Sequence, residues 1–317
     1  MRPRHLSRVV LWCVALGALS AGCRKTPPPS PPGTAPAVAP SGETSATAPP
    51  VSPAGPGRPA AATGRRQYRS VHVFVALCDN RHQGIVPVPK ALGNGQDAAG
   101  NLYWGALYGV KTFFRRSPHW QVVPAGEVAV ARDEDASVLE TAVFVSAAPG
   151  AKTYVLAEAF DGARMDVALR RFFAAAAGRL SRVVVWDRPG GRSVILAGGS
   201  ADLVCFVGHN GLMDTQLDRL PSRATGARPA GAVVLACKSR EYFAAPLARA
   251  GCPALITTTG LMAPEAYTLD AIVRSHAAGD PPRTVHLRAA EAYAKYQKCS
   301  LAAAKRLFAV GAIPTGR

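Results

Sequence analysis

From about residue 67 onward the chain alternates short apolar runs with clusters of Gly, Pro and polar residues. Residues 70–77 form the first run, which ends in Cys78, Asp79 and Asn80. Residues 202–208 form another, followed by His209, Asn210 and Gly211. Residues 230–236 form a third, followed by Cys237, Lys238 and Ser239. Unbroken runs of Val, Leu and Phe bounded by Gly read as strands buried on both faces of a parallel sheet. In such sheets ligands sit just beyond the carboxyl ends of the strands. His209 and Cys237 are therefore predicted to face each other across a cleft.

The remaining pattern fills in the layers. Tyr103, Leu107, Val110 and Phe114 recur at helical spacing and predict a helix over 102–114. Strands are predicted at 120–123, 141–145, 152–157 and 253–259. Asp161 signals the start of a helix over 161–180 whose buried side carries Val167, Leu169, Phe172, Phe173 and Leu180. Further helices are predicted at 242–249, 265–278, 284–297 and 301–310. Strands alternating with helices argue for an α/β fold, a three-layer α/β/α sandwich with a mostly parallel sheet. No internal repeat stands out.

The first 66 residues lack this pattern. Residues 1–22 have a basic start at Arg2, Arg4 and Arg8, an apolar core over 9–19, then small residues. That is the layout of a secretory signal peptide, and its apolar core is short for a membrane span. The sequence Leu19-Ser20-Ala21-Gly22-Cys23 resembles the lipobox of bacterial lipoproteins, with Ser20 where a larger aliphatic is usual. The resemblance implies diacylation of Cys23 and a lipid-anchored protein on the periplasmic side of a bacterial envelope. The alternative is an ordinary signal peptide with an incidental cysteine. Residues 23–66, rich in Pro, Ala, Gly, Ser and Thr, are expected to be a disordered tether. The folded domain is then 67–317, a size suited to one α/β domain.

Charge and cysteine content narrow the function classes. The formal net charge is +17 and the isoelectric point about 10.1. No compact Lys/Arg run or interleaved aromatic motif accompanies that charge, so nucleic acid is not expected as a partner. Outside the first 23 residues the cysteines are Cys78, Cys205, Cys237, Cys252 and Cys299, an odd number for an exported domain. At least one is therefore free or paired between chains, and their spacing matches no zinc site. The stretch over 93–97 is glycine-rich without a Walker or Rossmann pattern, so no nucleotide or other cofactor is expected; it is read as a loop flanking the substrate.

The order of the central elements resembles the caspase-like cysteine peptidases of clan CD, in particular the CHAT-type and gingipain-like bacterial branches. The residues carrying the resemblance are Phe206-Val207-Gly208-His209-Asn210-Gly211, Val233-Val234-Leu235-Ala236-Cys237-Lys238-Ser239, and the downstream segment 247–256. The match covers roughly residues 202–297, and the strand over 71–77 fits the family's opening strand. The resemblance implies a caspase-like sandwich and an envelope-anchored cysteine endopeptidase acting on a peptide or protein substrate. Cys237 would be the nucleophile and His209 the general acid/base. The amides of Gly211 and Cys237 would bind the oxyanion of the tetrahedral intermediate. One departure is Asn210, which stands between the histidine and the glycine that usually follows it directly. Asn accepts positive φ better than most residues, so the turn can still form.

These roles suit the residue types. A thiol is a weak nucleophile until it becomes a thiolate, so an imidazole or a positive local field assists it. Cys237 precedes what reads as a strand-to-helix turn, where free N–H groups favour an anion, and Lys238 adds positive charge. Asp79, at the end of the first strand, is expected to orient His209 or recognise a basic substrate group, or alternatively to close an Asx turn. Asp79 and Asp202 together would favour Arg or Lys if both lined the pocket. Cys205, Cys252 and Cys299 read as packing, and His72, His82, His119, His276 and His286 as structural or exposed. Two rival classes remain: a caspase-like binding or scaffold lipoprotein without catalysis, and a thiol–disulfide role for Cys237 or Cys78.

Overall fold

The computed structural model describes residues 67–130, 136–228 and 230–311. The expected signal peptide, Cys23 and the tether lie outside the described residues. The strands are β1 (Arg69–Ala76), β2 (Trp120–Val122), β3 (Val128–Val130), β4 (Val138–Ser146), β5 (Thr153–Phe160), β6 (Ser181–Arg188), β7 (Gly191–Gly198), β8 (Leu203–Val207), β9 (Gly231–Leu235), β10 (Ala254–Thr258) and β11 (Phe308–Val310). The helices are α1 (Val110–Arg116), α2 (Met165–Ala176), α3 (Ser239–Arg249), α4 (Ala266–Ala278), α5 (Pro282–Gln297) and α6 (Leu301–Leu307).

Eight strands form one sheet in the order β11-β10-β9-β8-β1-β5-β4-β2. The five central strands, β10 through β5, run parallel. The three added at its margins, β11, β4 and β2, pair antiparallel. β8 and β9 are apolar throughout, and β1 is buried at seven of its eight positions, because both faces of the sheet are covered. Val71, Val73, Val75 and Leu77 face the layer of α1, α4 and α5. Phe74, Ala76, Val204, Phe206 and Val234 face α2 and α3. The result is the predicted α/β/α sandwich with a mostly parallel sheet.

Three departures from the predicted elements have local causes. The helix read over 102–114 begins only at Val110. Upstream, the Asn101 side chain accepts from the Cys78 and Tyr103 amides and donates to the Cys78 and Asn94 carbonyls, folding the backbone into turns. Gly105 packs so tightly that a Cβ there would lie 1.9 Å from the Ala99 carbonyl oxygen. Second, β6 and β7 form a hairpin that, with β3, makes a separate three-stranded sheet. Its apolar runs, 183–186 and 194–197, alternate between the two faces: Val184, Ile195 and Ala197 pack inward onto Val143, Tyr154 and Leu156, with Val128, Val130 and Trp186 beside them, and Val194 is exposed. Third, residues 308–310, read as the end of a helix, pair as β11 with β10.

Beneath that small sheet lies a buried charge cluster. Glu158 sits 3.0 Å from His72 Nε2 and 2.7 Å from Arg182, with all three side chains almost fully enclosed. The His72 Nδ1 accepts from the Gly198 amide, which leaves Nε2 as the donor toward Glu158. Burial alone would raise the Glu158 carboxyl; His72, Arg182 and Arg171 overcome it and hold its pKa below the ordinary value.

Candidate active site

The strand register brings the two central predicted residues to one edge. Val207 of β8 pairs with Leu235 of β9 in a parallel ladder, so His209 and Cys237 each lie two residues beyond a matched pair. Neighbouring strands are about 4.8 Å apart, which sets both residues side by side at the carboxyl edge. The chain turns out of β8 at Gly208, whose φ of 150° and 2.8 Å approach to the Ala76 carbonyl exclude a Cβ. Asn210 therefore keeps an ordinary negative φ of −81°.

Asn210 is fully enclosed and joins the two strand ends. Its Nδ2 donates to the Cys237 carbonyl at 2.7 Å, and its Oδ1 accepts from the Leu212 amide at 3.2 Å. On the other side, Cys237 begins the predicted strand-to-helix turn, with Lys238 in the left-handed region at φ 49° and α3 starting at Ser239. A buried pair of hydroxyls pins that turn. Ser239 Oγ donates to the Val234 carbonyl and accepts from the Thr258 amide. Thr258 Oγ1 accepts from the Ser239 amide and donates to the Ala236 carbonyl. The turn is thereby fixed to both β9 and β10.

His209 is nearly buried, and its Nε2 lies 2.6 Å from Asp214 Oδ2. The same carboxylate oxygen accepts from the Gly84 amide at 3.1 Å. With Nε2–H donating to Asp214, Nδ1 carries the basic lone pair. Among the described residues Nδ1 has no hydrogen-bond partner, and the imidazole and thiol do not bond each other directly. Cys237 Sγ instead accepts from the Met262 amide at 3.4 Å and lies 3.6 Å from the Met262 carbonyl. That amide suits a thiolate and that carbonyl suits a thiol.

Two tyrosines stand near Cys237. Burial holds the Tyr103 phenol well above its ordinary pKa, and the neighbouring Cys78 and Cys237 side chains add to that. Burial likewise raises Tyr293, whose oxygen accepts from the Ala263 amide. Both phenols stay protonated beside the cysteine. Cys78, hydrogen-bonded to Tyr103 and enclosed at the end of β1, is pushed up to about 11, chiefly by burial.

Other predicted residues fall differently. The Gly211 amide, read as an oxyanion donor, is turned back onto the His209 carbonyl at 3.1 Å. The Cys237 amide has no acceptor among the described residues. Asp79 does orient a histidine, but that histidine is His82, at 2.9 Å. Asp79 is 1 % exposed and also accepts from the Arg81 and His82 amides and from Gln96, so it has no free face for a basic substrate group. Burial works to raise its carboxyl, and His82, the Arg81 amide and Gln96 outweigh it, so its pKa falls. Asp202 lies at the opposite edge of the sheet, where it accepts from the Ser70 amide at the start of β1. Running parallel, β8 starts where β1 starts, so a residue before β8 is a strand length away from His209.

The sequence reading did not single out Asp214, the backbone of Met262, or Tyr103 and Tyr293 as part of the site. Asp214 follows His209 by five residues, a spacing that a short 3-10 turn over Gly211–Met213 closes. The others arrive through tertiary contacts that leave no local signal. Among the described residues no group of His, Cys, Asp and Glu is placed to hold a metal ion, and all five cysteines are free thiols. Compared with known proteins, the chain matches no family model, no curated protein and no solved structure.

Proposed function

We propose that this protein is a cysteine-type peptidase of caspase-like kind, with Cys237 as nucleophile, His209 as acid/base and Asp214 as the residue that orients His209. One observation carries the reading: His209 and Cys237 leave adjacent parallel strands in matched register, bound to each other through Asn210. In this reading His209 Nδ1 removes the Cys237 proton and the thiolate attacks the peptide carbonyl. The Cys237 amide donates to the developing oxyanion. Nδ1–H then protonates the departing amine, leaving a thioester. Water, deprotonated by the same nitrogen, hydrolyses the thioester and restores the thiol.

The sequence supports export by residues 1–22 and anchoring through acylated Cys23, and no helix among the described residues is long and apolar enough to cross a membrane. A second reading, a binding or scaffold lipoprotein without catalysis, draws on the Gly211 amide, which is spent inside its own turn.

The test uses full-length protein and peptidyl acyloxymethyl ketones carrying different residues next to the warhead, with the adduct located by mass spectrometry. A single adduct on Cys237 that disappears in His209→Ala supports the peptidase. Labelling spread over several cysteines, or none, with no peptide turnover, favours the second reading.

A further inference from the structure

The carboxyl edge around Cys237 and His209 carries exposed aliphatic side chains. Val86 is 82 % exposed, Leu261 55 % and Met213 40 %. Each sits on a different loop, and the three loops follow β1, β10 and β8, whose carboxyl ends share this edge. The loops converge on the two central residues. Gly84, two residues before Val86, bonds Asp214, which follows Met213 directly and holds His209. Leu261 precedes Met262, whose amide contacts Cys237 Sγ. Val86 and Met213 therefore lie on loops joined to the histidine side, and Leu261 on the loop at the cysteine side.

Most carboxylates near the pair already hold partners within the protein. Asp79 is enclosed and saturated, Asp214 bonds His209 and Gly84 through Oδ2, Asp161 accepts from Gln96 and the Ala163 amide, and Glu265 accepts from Tyr267 and Gln297. Asp202 is at the far edge. Lys238, directly after Cys237, is exposed and cationic, so it repels Arg and Lys. Exposed aliphatic groups lose nothing by being covered, and covering them against another aliphatic side chain removes apolar surface from water on both partners.

We infer that Val86, Met213 and Leu261 determine specificity, and that the substrate is an extended peptide with aliphatic side chains on both sides of the bond over Cys237. This rests on the peptidase reading for the position of the bond.

The experiment measures binding and turnover separately. Fluorescein-labelled hexapeptides with Leu-Val, Arg-Lys or Asp-Glu at their two central positions are titrated into full-length Cys237→Ala, which cannot react, and followed by anisotropy. The Leu-Val peptide is expected to bind at least about tenfold more tightly than the others. Adding Leu261→Lys or Val86→Asp, both at exposed positions that tolerate substitution, is expected to remove that preference. Equal binding of all three peptides, a preference for Arg-Lys or Asp-Glu, a Leu-Val preference untouched by the substitutions, or no binding at all would overturn the inference. Turnover is read on the protein with Cys237 intact. Cleavage without aliphatic preference sinks the specificity and keeps the peptidase; aliphatic binding without cleavage keeps the specificity and sinks the peptidase.

Discussion

The Asn210 side chain donates to the Cys237 carbonyl at 2.7 Å, so the residue that separates His209 from Gly211 ties the histidine's strand to the cysteine's turn. From the sequence Asn210 looks like an interruption of a His-Gly pattern. In the fold it is buried, satisfied at both ends of its amide, and attached to the residues on either side of the cleft. The positive φ that asparagine tolerates is supplied instead by Gly208.

Asn210→Ala therefore leaves the Cys237 carbonyl and the Leu212 amide without partners. Loss of such buried partners costs roughly 1–3 kcal/mol, measurable as a lower midpoint in chemical denaturation. If the peptidase reading holds, kcat falls about a hundredfold as the cysteine shifts relative to the imidazole, with KM little changed. Asn210→Asp keeps the acceptor for Leu212 and loses the donor to Cys237, so it reproduces the loss in kcat. Equal kcat in all three proteins would show that the link does not position Cys237.

Asp214 offers a different handle, because it holds the imidazole itself, together with the Gly84 amide. In Asp214→Asn the amide no longer selects Nε2–H, and His209 can place its proton on Nδ1, where the base is needed. Turnover is expected to fall by at least about tenfold, while peptide binding measured in the Cys237→Ala background stays unchanged. Joint loss of binding and turnover would instead assign Asp214 to substrate contact.

How much of this was legible beforehand follows from where the information lies. The central strands were readable because burial on both faces leaves uninterrupted apolar runs, as in 202–208 and 230–236. His209 and Cys237 could be paired because parallel strands deliver their ends to one edge. The β6–β7 hairpin is absent from the predicted strands although 183–186 and 194–197 are unbroken apolar runs on either side of Pro189-Gly190-Gly191, a legible hairpin signal. The spacing over 102–114 overextends the helix because Tyr103 and Trp104 are buried through turns held by Asn101, and apolar spacing does not distinguish turns from helix. Asp79 closes the Asx turn that is the alternative reading of its position, accepting from the Arg81 amide two residues on, and the histidine it holds is His82, whereas Asp214 reaches His209 through the 3-10 turn.

Cysteine chemistry separates the five thiols of the domain. Burial raises Cys78 to about 11 and Cys252 to about 12, and pushes Cys205 up as well, so none of the three forms thiolate near neutral pH. Cys237 and Cys299 are only half buried. Iodoacetamide at pH 8 is expected to modify Cys237 and Cys299 in the native protein and to reach Cys78, Cys205 and Cys252 only in denaturant, as read by peptide mapping. Fast native labelling of Cys78 would mean that its hydrogen bond to Tyr103 opens readily.

The Glu158 cluster is expected to contribute to the acid limit of the fold. Its carboxylate is fully enclosed with His72 and Arg182, and its folded pKa lies below the unfolded value of about 4.3. A group with a lowered folded pKa contributes stability that is fully present above the unfolded value and is lost as pH falls through the folded one. Glu158→Gln removes that contribution at all pH values and leaves Arg182 buried opposite a neutral amide, at a cost of about 3–5 kcal/mol. Denaturation midpoints measured from pH 7 down to pH 3 are therefore expected to fall less steeply in Glu158→Gln than in the parent, from a lower starting point. An unchanged acid slope would mean that carboxylates elsewhere, such as Asp79 with His82, govern acid unfolding. The substitution lies under the small sheet, away from Cys237, so thiol reactivity at pH 7 should be preserved wherever the variant remains folded.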